Sequence, residues 1–180
     1  STSMLIFIIS LGYITVKSRN LALKDSKELA AKTAHEQANV IKSELKSDYN
    51  IAQTIAQSAQ AYFSSDWEQW NKMFLDQQLH IINKNEHFLA VAVSWELNQI
   101  NPEWNKPFGR YINGWIRNQD GEIKQLETTS NLEGDNINSN YYKLKINGKP
   151  IITDPEIYIP SGNIEDQYIN TNISVPFKLG

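Results

Sequence analysis

A long stretch without glycine or proline limits the possible folds of this chain more than any other part of the sequence. Neither residue occurs between Arg19 and Asp66, so no residue type that breaks helices interrupts that stretch. Its apolar residues recur at every third or fourth position and therefore form one continuous face of a helix. These apolar positions are Ala34, Ala38, Ile41, Leu45, Tyr49, Ala52, Ala56, Ala59 and Phe63. We predict one helix over residues 23–64.

The predicted helix is longer than a small domain needs. About 40 residues at about 1.5 Å each span about 60 Å, and the alanines on the apolar face allow another surface to approach closely. Two interpretations are open: the face covers the core of its own domain, or it contacts the same helix of a second copy in a homodimer. Different turns of one helix can serve both purposes.

The chain opens with an apolar segment, Met4–Val16, which carries no charge and is followed by Lys17 and Arg19. This segment is shorter than the ~20 residues that cross a bilayer. A buried helix or the hydrophobic region of a signal peptide has a similar length. Because the chain starts at Ser1 without an initiator methionine, we expect residues 1–18 to be the end of a longer transmembrane helix that attaches the protein to a membrane.

The rest of the chain combines one more helix with several strands. We predict that the second helix begins after Asp66, a residue type that commonly caps helices, and ends near Lys84. Segments with the composition of strands follow, separated by turn dipeptides. They are a strand at 87–95, a hairpin at 109–127, a hairpin at 141–155 and a last strand at 168–177. This order predicts an α+β fold, in which helices cover one face of a mostly antiparallel sheet.

Glycine dipeptides give the predicted turns. Asp120-Gly121 turns the chain in the first hairpin, and Asn113-Gly114 is either an alternative turn or a bulge inside the strand. In the second hairpin, Tyr141 and Tyr142 lead into a strand that turns at Asn147-Gly148. On a strand, the rings of two consecutive tyrosines point to opposite faces, so only one of them can line a given pocket.

The composition argues against several classes of function. The net charge is −3, so no basic face is concentrated enough to neutralise a row of nucleic-acid phosphates. Without cysteine, the chain can form no disulfide, no thiolate metal site and no cysteine nucleophile. We therefore expect no nucleic-acid partner.

The sequence also lacks motifs of catalysis and metal binding. His35, His80 and His87 are scattered and do not have the His-Glu-x-x-His spacing. Glu133 and Asp135 flank a glycine in a polar loop, but this loop lacks the ligand density of a calcium site. No Gly-x-Ser-x-Gly, Walker or Gly-x-Gly-x-x-Gly motif occurs. We expect this chain to be neither an enzyme nor a binder of metals or cofactors.

Four further segments follow the long helix in an order that resembles a known family. They are Gly109-Arg110-Tyr111, Tyr141-Tyr142, GKPIITDP at 148–155 and Ile173-Ser174-Val175-Pro176. In this order and spacing, residues 17–180 resemble the double Cache domain, the extracytoplasmic sensor of bacterial chemoreceptors, sensor histidine kinases and cyclases. The last two segments are the most specific part of the resemblance.

The resemblance implies a domain organisation. Residues 19–64 would be a signalling and dimerisation helix, and residues 65–180 a membrane-distal, PAS-like Cache module whose antiparallel sheet packs on that helix. A membrane-proximal module, a second transmembrane helix and a cytoplasmic output domain, such as a kinase or a cyclase, would follow beyond this chain. The protein would lie in the inner membrane of a bacterium, with this domain on the periplasmic or extracellular side.

The resemblance also implies a ligand site. In the amino-acid-binding branch of the family, an arginine two residues before an aromatic pair grips the ligand carboxylate, and a later tyrosine is followed by an aspartate that helps to hold the amine. Tyr141-Tyr142 match the pair, but Ser139 stands at the position of the arginine. Tyr158 matches the later tyrosine, but Pro160 stands at the position of the aspartate. These departures argue against standard amino-acid recognition and leave an amino acid, an organic acid or an amine open as the ligand.

Several residues offer chemistry for such a site. Arg117 or Arg110 can provide a fork of donors for a carboxylate, although both also suit an ordinary surface. Asp154 can hold an amine, or it can form a turn before Pro155. Tryptophan and tyrosine rings can form the walls of a pocket, or they can pack in the core. The candidate ligand-binding residues are Trp95, Arg110, Trp115, Arg117, Tyr141, Tyr142, Asp154 and Tyr158.

Our leading hypothesis is a ligand-sensing domain that binds a small molecule and relays a shift of the long helix across the membrane. A structural alternative is a pilin-like subunit, which also joins an apolar N-terminal helix to an antiparallel sheet. The apolar segment here is short and contains no glutamate, which argues against a pilin. A third interpretation is an exported module that binds lipid or protein without a role in signalling.

Overall fold

A computed structural model of the chain describes residues 2–62, 67–159 and 167–178. The chain divides into two compact units, Ser1–Asp48 and Tyr49–Gly180. The first unit consists of the first part of the long helix, and the second holds the end of that helix together with every other helix and strand. The fold class is α+β, as the sequence predicts, with a long N-terminal helix and a three-stranded antiparallel sheet.

The long helix, α1, runs from Thr2 to Tyr62 and contains 61 residues. The predicted helix over 23–64 is confirmed within the described residues, and helical structure also includes the apolar segment near the N-terminus. Phe63 lies outside the described residues. In the first unit, large apolar side chains of α1 are exposed, with Leu29 at 66% and Ile41 at 55% of their full exposure. Within the residues that the structure describes, no helix has a stretch long and apolar enough to cross a membrane.

The second helix, α2 (Trp67–Lys84), ends where the sequence predicts. Its expected cap, Asp66, lies outside the described residues. Buried side chains recur at every fourth position, which gives α2 one face that packs against the sheet. These side chains are Trp70, Phe74, Gln78 and Ile82.

The main sheet is an antiparallel meander in the order β1-β2-β3. Its strands are β1 (Ala90–Glu96), β2 (Arg110–Arg117) and β3 (Ile123–Ser130), and a short helix, α3 (Leu97–Ile100), follows β1. The structure confirms the predicted apolar strand and the predicted first hairpin, which turns at Asp120-Gly121.

One face of this sheet packs against the helices and forms the core of the second unit. Val91, Val93 and Trp95 alternate along β1 and are buried. The Trp95 ring lies 4.4 Å from the Trp70 ring, measured between centroids. The last turns of α1 add Ile55 to the same core cluster. Trp95, a candidate wall of the ligand pocket in the sequence analysis, is therefore a core residue.

The structure corrects the interpretation of Asn113-Gly114, which is neither a turn nor a bulge. The pairing of β1 with β2 continues through this dipeptide without interruption, since Asn113 pairs with Val93 and Gly114 pairs with Ala92. A Cβ atom on Gly114 would lie only 2.2 Å from the Val91 carbonyl oxygen, so glycine is required by close approach of the two backbones.

A second correction concerns the segment that begins with the tyrosine pair. Instead of a strand, Asn140–Asn147 forms helix α4, because Ser139 and Gly148 supply caps. Ser139 Oγ accepts a hydrogen bond from the Tyr142 backbone N–H at 3.1 Å. Gly148 has a φ of 59° and its N–H donates to the Leu144 carbonyl at 2.8 Å, a typical helix end. The predicted hairpin at 141–155 is therefore wrong.

Short strands complete the described part of the chain. The predicted last strand at 168–177 is divided into β6 (Tyr168–Asn170) and β7 (Ile173–Ser174). Here β4 (Ile151–Ile152) pairs with β7, and the consecutive strands β5 (Glu156–Tyr158) and β6 pair with each other, so the β5–β6 pair lies in sequence between the two strands of the other pair.

Candidate functional site

The candidate site lies at one end of β1 and β2, on the face of the sheet away from the core. Glu96 and Arg110 are directly opposite each other across these strands. Their sequence neighbours Trp95 and Tyr111 belong to the core side, so Glu96 and Arg110 point to the other face. Opposite charges in this arrangement usually attract each other, but Glu96 has other partners.

Helix α4 contacts Glu96 through two side chains one turn apart. The Tyr141 hydroxyl donates a hydrogen bond to Glu96 Oε1, and Lys145 Nζ donates to Glu96 Oε2 at 3.0 Å. Positions four apart share one face of a helix, so α4 uses a single polar face for both contacts. Each oxygen of the Glu96 carboxylate is thereby matched with a donor on α4.

The loop between β3 and α4 contributes a second carboxylate. Asp135 Oδ2 accepts a hydrogen bond from Lys145 Nζ at 2.9 Å, and Asp135 Oδ1 accepts one from Asn131 Nδ2 at 3.1 Å. Lys145 Nζ also donates to the Pro107 carbonyl oxygen at 2.7 Å. One ammonium group therefore joins β1, the segment before β2, the loop after β3 and α4.

Arg110 remains without a hydrogen-bonded partner at the centre of these groups. Its guanidinium carbon lies 4.3 Å from the centroid of the Tyr141 ring, a cation–π contact. Its Nε is buried and unpartnered, and within the described residues the side chain makes no hydrogen bond or ion pair. We call Glu96, Arg110, Asp135, Tyr141 and Lys145 the charged cluster.

Partial burial changes the acid–base behaviour of the charged cluster. Burial lowers the pKa of Arg110, an effect that the nearby Tyr141, Asp135 and Glu96 partly offset, but arginine stays protonated in proteins. Burial, followed by the hydrogen bond to Glu96, raises the pKa of the Tyr141 hydroxyl. At neutral pH, Arg110 is therefore a cation beside an un-ionised phenol.

The ion pair between Lys145 and Asp135 is held in its charged form. Burial acts to raise the pKa of Asp135, but the hydrogen bonds from Lys145 and Asn131 outweigh it, so this pKa is lowered. Burial acts to lower the pKa of Lys145, but the hydrogen bonds to Asp135 and Glu96 outweigh it, so this pKa is raised. The Asp135 side chain is only 11% exposed and that of Lys145 24%, so water screens the pair incompletely.

Two other candidates lie on the core side of the sheet. Arg117 donates to the carbonyl oxygen of Ile82 at 2.5 Å and to that of Phe88 at 3.4 Å, which ties β2 to the C-terminal turn of α2. Trp115 Nε1 donates to the Leu75 carbonyl at 2.8 Å, also on α2. Both side chains hold α2 to the sheet. Successive residues of a strand point to opposite faces, so Trp115 and Arg117 lie on the face opposite to that of Arg110 and away from the charged cluster.

The remaining candidates differ in exposure. Tyr142 is half-buried on α4, next to Tyr141. Asp154 is exposed between β4 and β5, and Tyr158 is exposed on β5. Of the eight candidates, the structure brings Arg110 and Tyr141 into direct contact.

Sequence reasoning does not identify Glu96, Asp135 or Lys145 as members of a site. The caps at Ser139 and Gly148 are a signal that predicts α4, and with α4 in place Tyr141 and Lys145 share a face. No comparable local signal connects Glu96 or Asp135 with that face. Within the described residues, no group of three or more histidine, aspartate or glutamate side chains could hold a metal ion.

Comparison with known protein families, with curated proteins and with solved structures finds no match for this chain. The order of the sequence segments and the geometry of the charged cluster are therefore the features that bear on function.

Proposed function

We propose that this chain is the extracytoplasmic ligand-sensing domain of a bacterial transmembrane signal transducer, a chemoreceptor or a sensor kinase. In this proposal the charged cluster binds a small molecule, and residues 1–18 attach the domain to the inner membrane. The α+β fold with its long N-terminal helix and the order of the segments that resemble the double Cache domain support it. The observation that carries it is the half-buried Arg110 side chain, whose Nε is buried and has no hydrogen-bond partner within the described residues.

A half-buried arginine without a hydrogen-bond acceptor contributes little to stability but is well suited to bind a ligand. Leaving a buried donor without an acceptor typically costs about 1–3 kcal/mol, whereas a carboxylate can accept two parallel hydrogen bonds from one guanidinium. The Tyr141 ring covers one side of Arg110 at 4.3 Å and restricts the directions from which a ligand can approach. The site therefore suits a small anionic molecule that ends in a carboxylate.

Strand β1 offers a route from this site to α1. Glu96 belongs to the charged cluster, while its neighbour Trp95 packs in the core that includes Ile55 and Ala59 of α1. A ligand that favours one position of β1 would also bias the packing of these α1 residues, as two-state coupling requires. The exposed apolar residues of α1 in the first unit support pairing with a second copy, as a homodimer.

A thermal-shift screen of the 180-residue chain tests the proposal. The compounds are amino acids, organic acids, amines and purines. A ligand at a hundredfold excess over its Kd stabilises a protein by about 2.7 kcal/mol, which here corresponds to a rise in Tm of about 5–10 °C. Arg110→Met, which keeps an unbranched apolar side chain but removes the guanidinium and its donors, should abolish the shift.

Lys143→Met is the matched control, because it removes a positive charge from an exposed position of α4. This variant should keep the full ligand-induced shift. An Arg110→Met variant that responds like the control would reject the placement of the site. If none of the compounds stabilises the wild-type chain, the sensing function itself is rejected. Sedimentation analysis of the same chain tests the homodimer.

A further inference from the structure

We infer that the ligand is a small hydroxy- or oxo-carboxylate and that ligands with an ammonium group beside the carboxylate are rejected. This inference rests on the proposed function and narrows its ligand class. Three features of the charged cluster and its surroundings carry it: the acids already have partners, the lysine has no donor left, and a serine hydroxyl without a partner among the described residues lies diagonally across the strand pair from the arginine.

The carboxylates of the charged cluster have no oxygen without a donor. Glu96 accepts from Tyr141 and Lys145, and Asp135 accepts from Asn131 and Lys145. A ligand ammonium is best compensated by a carboxylate, and each of these four oxygens already accepts one hydrogen bond. To bind here, a ligand ammonium would have to share an oxygen with a donor that is already in place.

Lys145 already provides the ammonium that a ligand would bring. Its Nζ donates to Glu96, Asp135 and the Pro107 carbonyl, at 3.0, 2.9 and 2.7 Å. An ammonium has three donors and no acceptor, so Lys145 cannot accept anything from a ligand. Its charge and that of Arg110 balance the charges of Glu96 and Asp135, so no uncompensated negative charge remains to attract a ligand ammonium.

The unused hydrogen-bond donors of the charged cluster are those of Arg110. A guanidinium has five N–H donors in a planar fork, and none of those on Arg110 has a partner within the described residues. Planar donors of this kind match a carboxylate. The charged cluster therefore offers unused donors to the acidic end of a ligand, whereas a basic end would find only acceptors that are already shared with other donors.

Ser94 supplies the second polar contact. It lies on β1 two residues before Glu96, on the same face, and it pairs with Ile112. Ser94 is thus a diagonal neighbour of Arg110 at about 7–8 Å, within reach of a long side chain. Its Oγ is buried and has no hydrogen-bond partner within the described residues. A hydroxyl can both donate and accept, so it suits a ligand hydroxyl or carbonyl next to the carboxylate.

Matched sets of acids that differ only at the second carbon provide the test. The sets are lactate, pyruvate, propionate and alanine; malate, succinate and aspartate; and phenyllactate, 3-phenylpropionate and phenylalanine. Binding to the 180-residue chain is measured by calorimetry and thermal shift. Within any set that binds, we expect the hydroxy acid to bind at least about tenfold more tightly than the amino acid, a difference of about 1.4 kcal/mol.

Two variants separate the contributions of Ser94 and Lys145. Ser94→Ala should remove the preference for lactate over propionate, while Thr129→Ala, which removes an exposed hydroxyl from β3, should leave it unchanged. Lys145→Met releases Glu96 and Asp135, so the preference for the hydroxy acid over the amino acid should shrink by about tenfold or more.

The outcomes distinguish the inference from the proposed function. Amino acids that bind as tightly as their hydroxy acids would overturn the inference while the sensing function stands. A lactate preference that persists in Ser94→Ala would overturn the role of Ser94 even if Lys145→Met fails to fold. Failure of all the acids, amino acids, amines and purines to bind would overturn the proposed function, and the inference with it.

Discussion

Replacement of Gly114 by alanine should destabilise the second unit strongly, because no room exists for one extra methyl group. The added Cβ would lie 2.2 Å from the Val91 carbonyl oxygen, 2.6 Å from the Ala92 Cα and 2.7 Å from Gln78 Oε1. Ordinary contacts of a Cβ atom begin at 3.4 Å, so β1 would have to move by more than about 1 Å relative to β2.

The size of the effect follows from which atoms obstruct the methyl group. Overpacking a core usually costs about 1–3 kcal/mol, and the two nearest atoms here belong to the backbone of a paired strand, which cannot rotate away. We expect a loss of about 3 kcal/mol or more, and therefore a fall in Tm on the order of 10 °C.

Thermal and urea unfolding followed by circular dichroism measure this loss, and Gly121→Ala is the control. Gly121 has a φ of 82° and no atom within 4 Å of an added Cβ, so alanine there should cost only backbone strain, about 1–2 kcal/mol. If Gly114→Ala is no less stable than Gly121→Ala, the close approach of β1 and β2 at Gly114 is wrong.

Two further predictions concern charged side chains. Arg117→Met removes the hydrogen bonds to the Ile82 and Phe88 carbonyls, so it should cost about 1.5–3 kcal/mol in urea unfolding while leaving any ligand-induced thermal shift intact; loss of that shift would show that Arg117 binds the ligand. The difference in Tm between the wild type and Lys145→Met should depend on pH. Because the pKa of Asp135 is lowered in the folded state, this group stabilises the fold above about pH 3.9, and the stabilisation is lost as the pH falls through the folded pKa. Because the pKa of Lys145 is raised in the folded state, this group stabilises the fold below about pH 10.4, and the stabilisation is lost as the pH rises through the folded pKa. The difference should therefore be largest between about pH 5 and pH 9, and a difference that grows on acidification below pH ~4 would contradict the pairing.

Elements that depend on local interactions were predictable. Helix α1 follows from the stretch without glycine or proline, because each helical hydrogen bond joins residues four apart and needs no distant partner. The β2–β3 hairpin follows from the short turn at Asp120-Gly121, which brings adjacent segments together.

Helix α4 shows where local reasoning fails. Its tyrosines and isoleucine favour strands by composition, yet the caps at Ser139 and Gly148 and the contacts with Glu96 favour a helix.

The two candidate arginines also show what local reasoning cannot decide. Both Arg110 and Arg117 were reasonable carboxylate-binding residues, and only the packing of α2 against β2 shows that Arg117 is already bound to backbone carbonyls.

Local patterns along the chain were enough to predict the long helix, the α+β class and the candidacy of Arg110 and Tyr141, because periodicity, helix breakers and residue chemistry are local properties. Which charges are compensated depends instead on how distant segments pack together. Glu96, Asp135 and Lys145 come from three separate segments, and whether a charge is satisfied depends on atoms within about 3 Å of it, wherever in the chain those atoms originate.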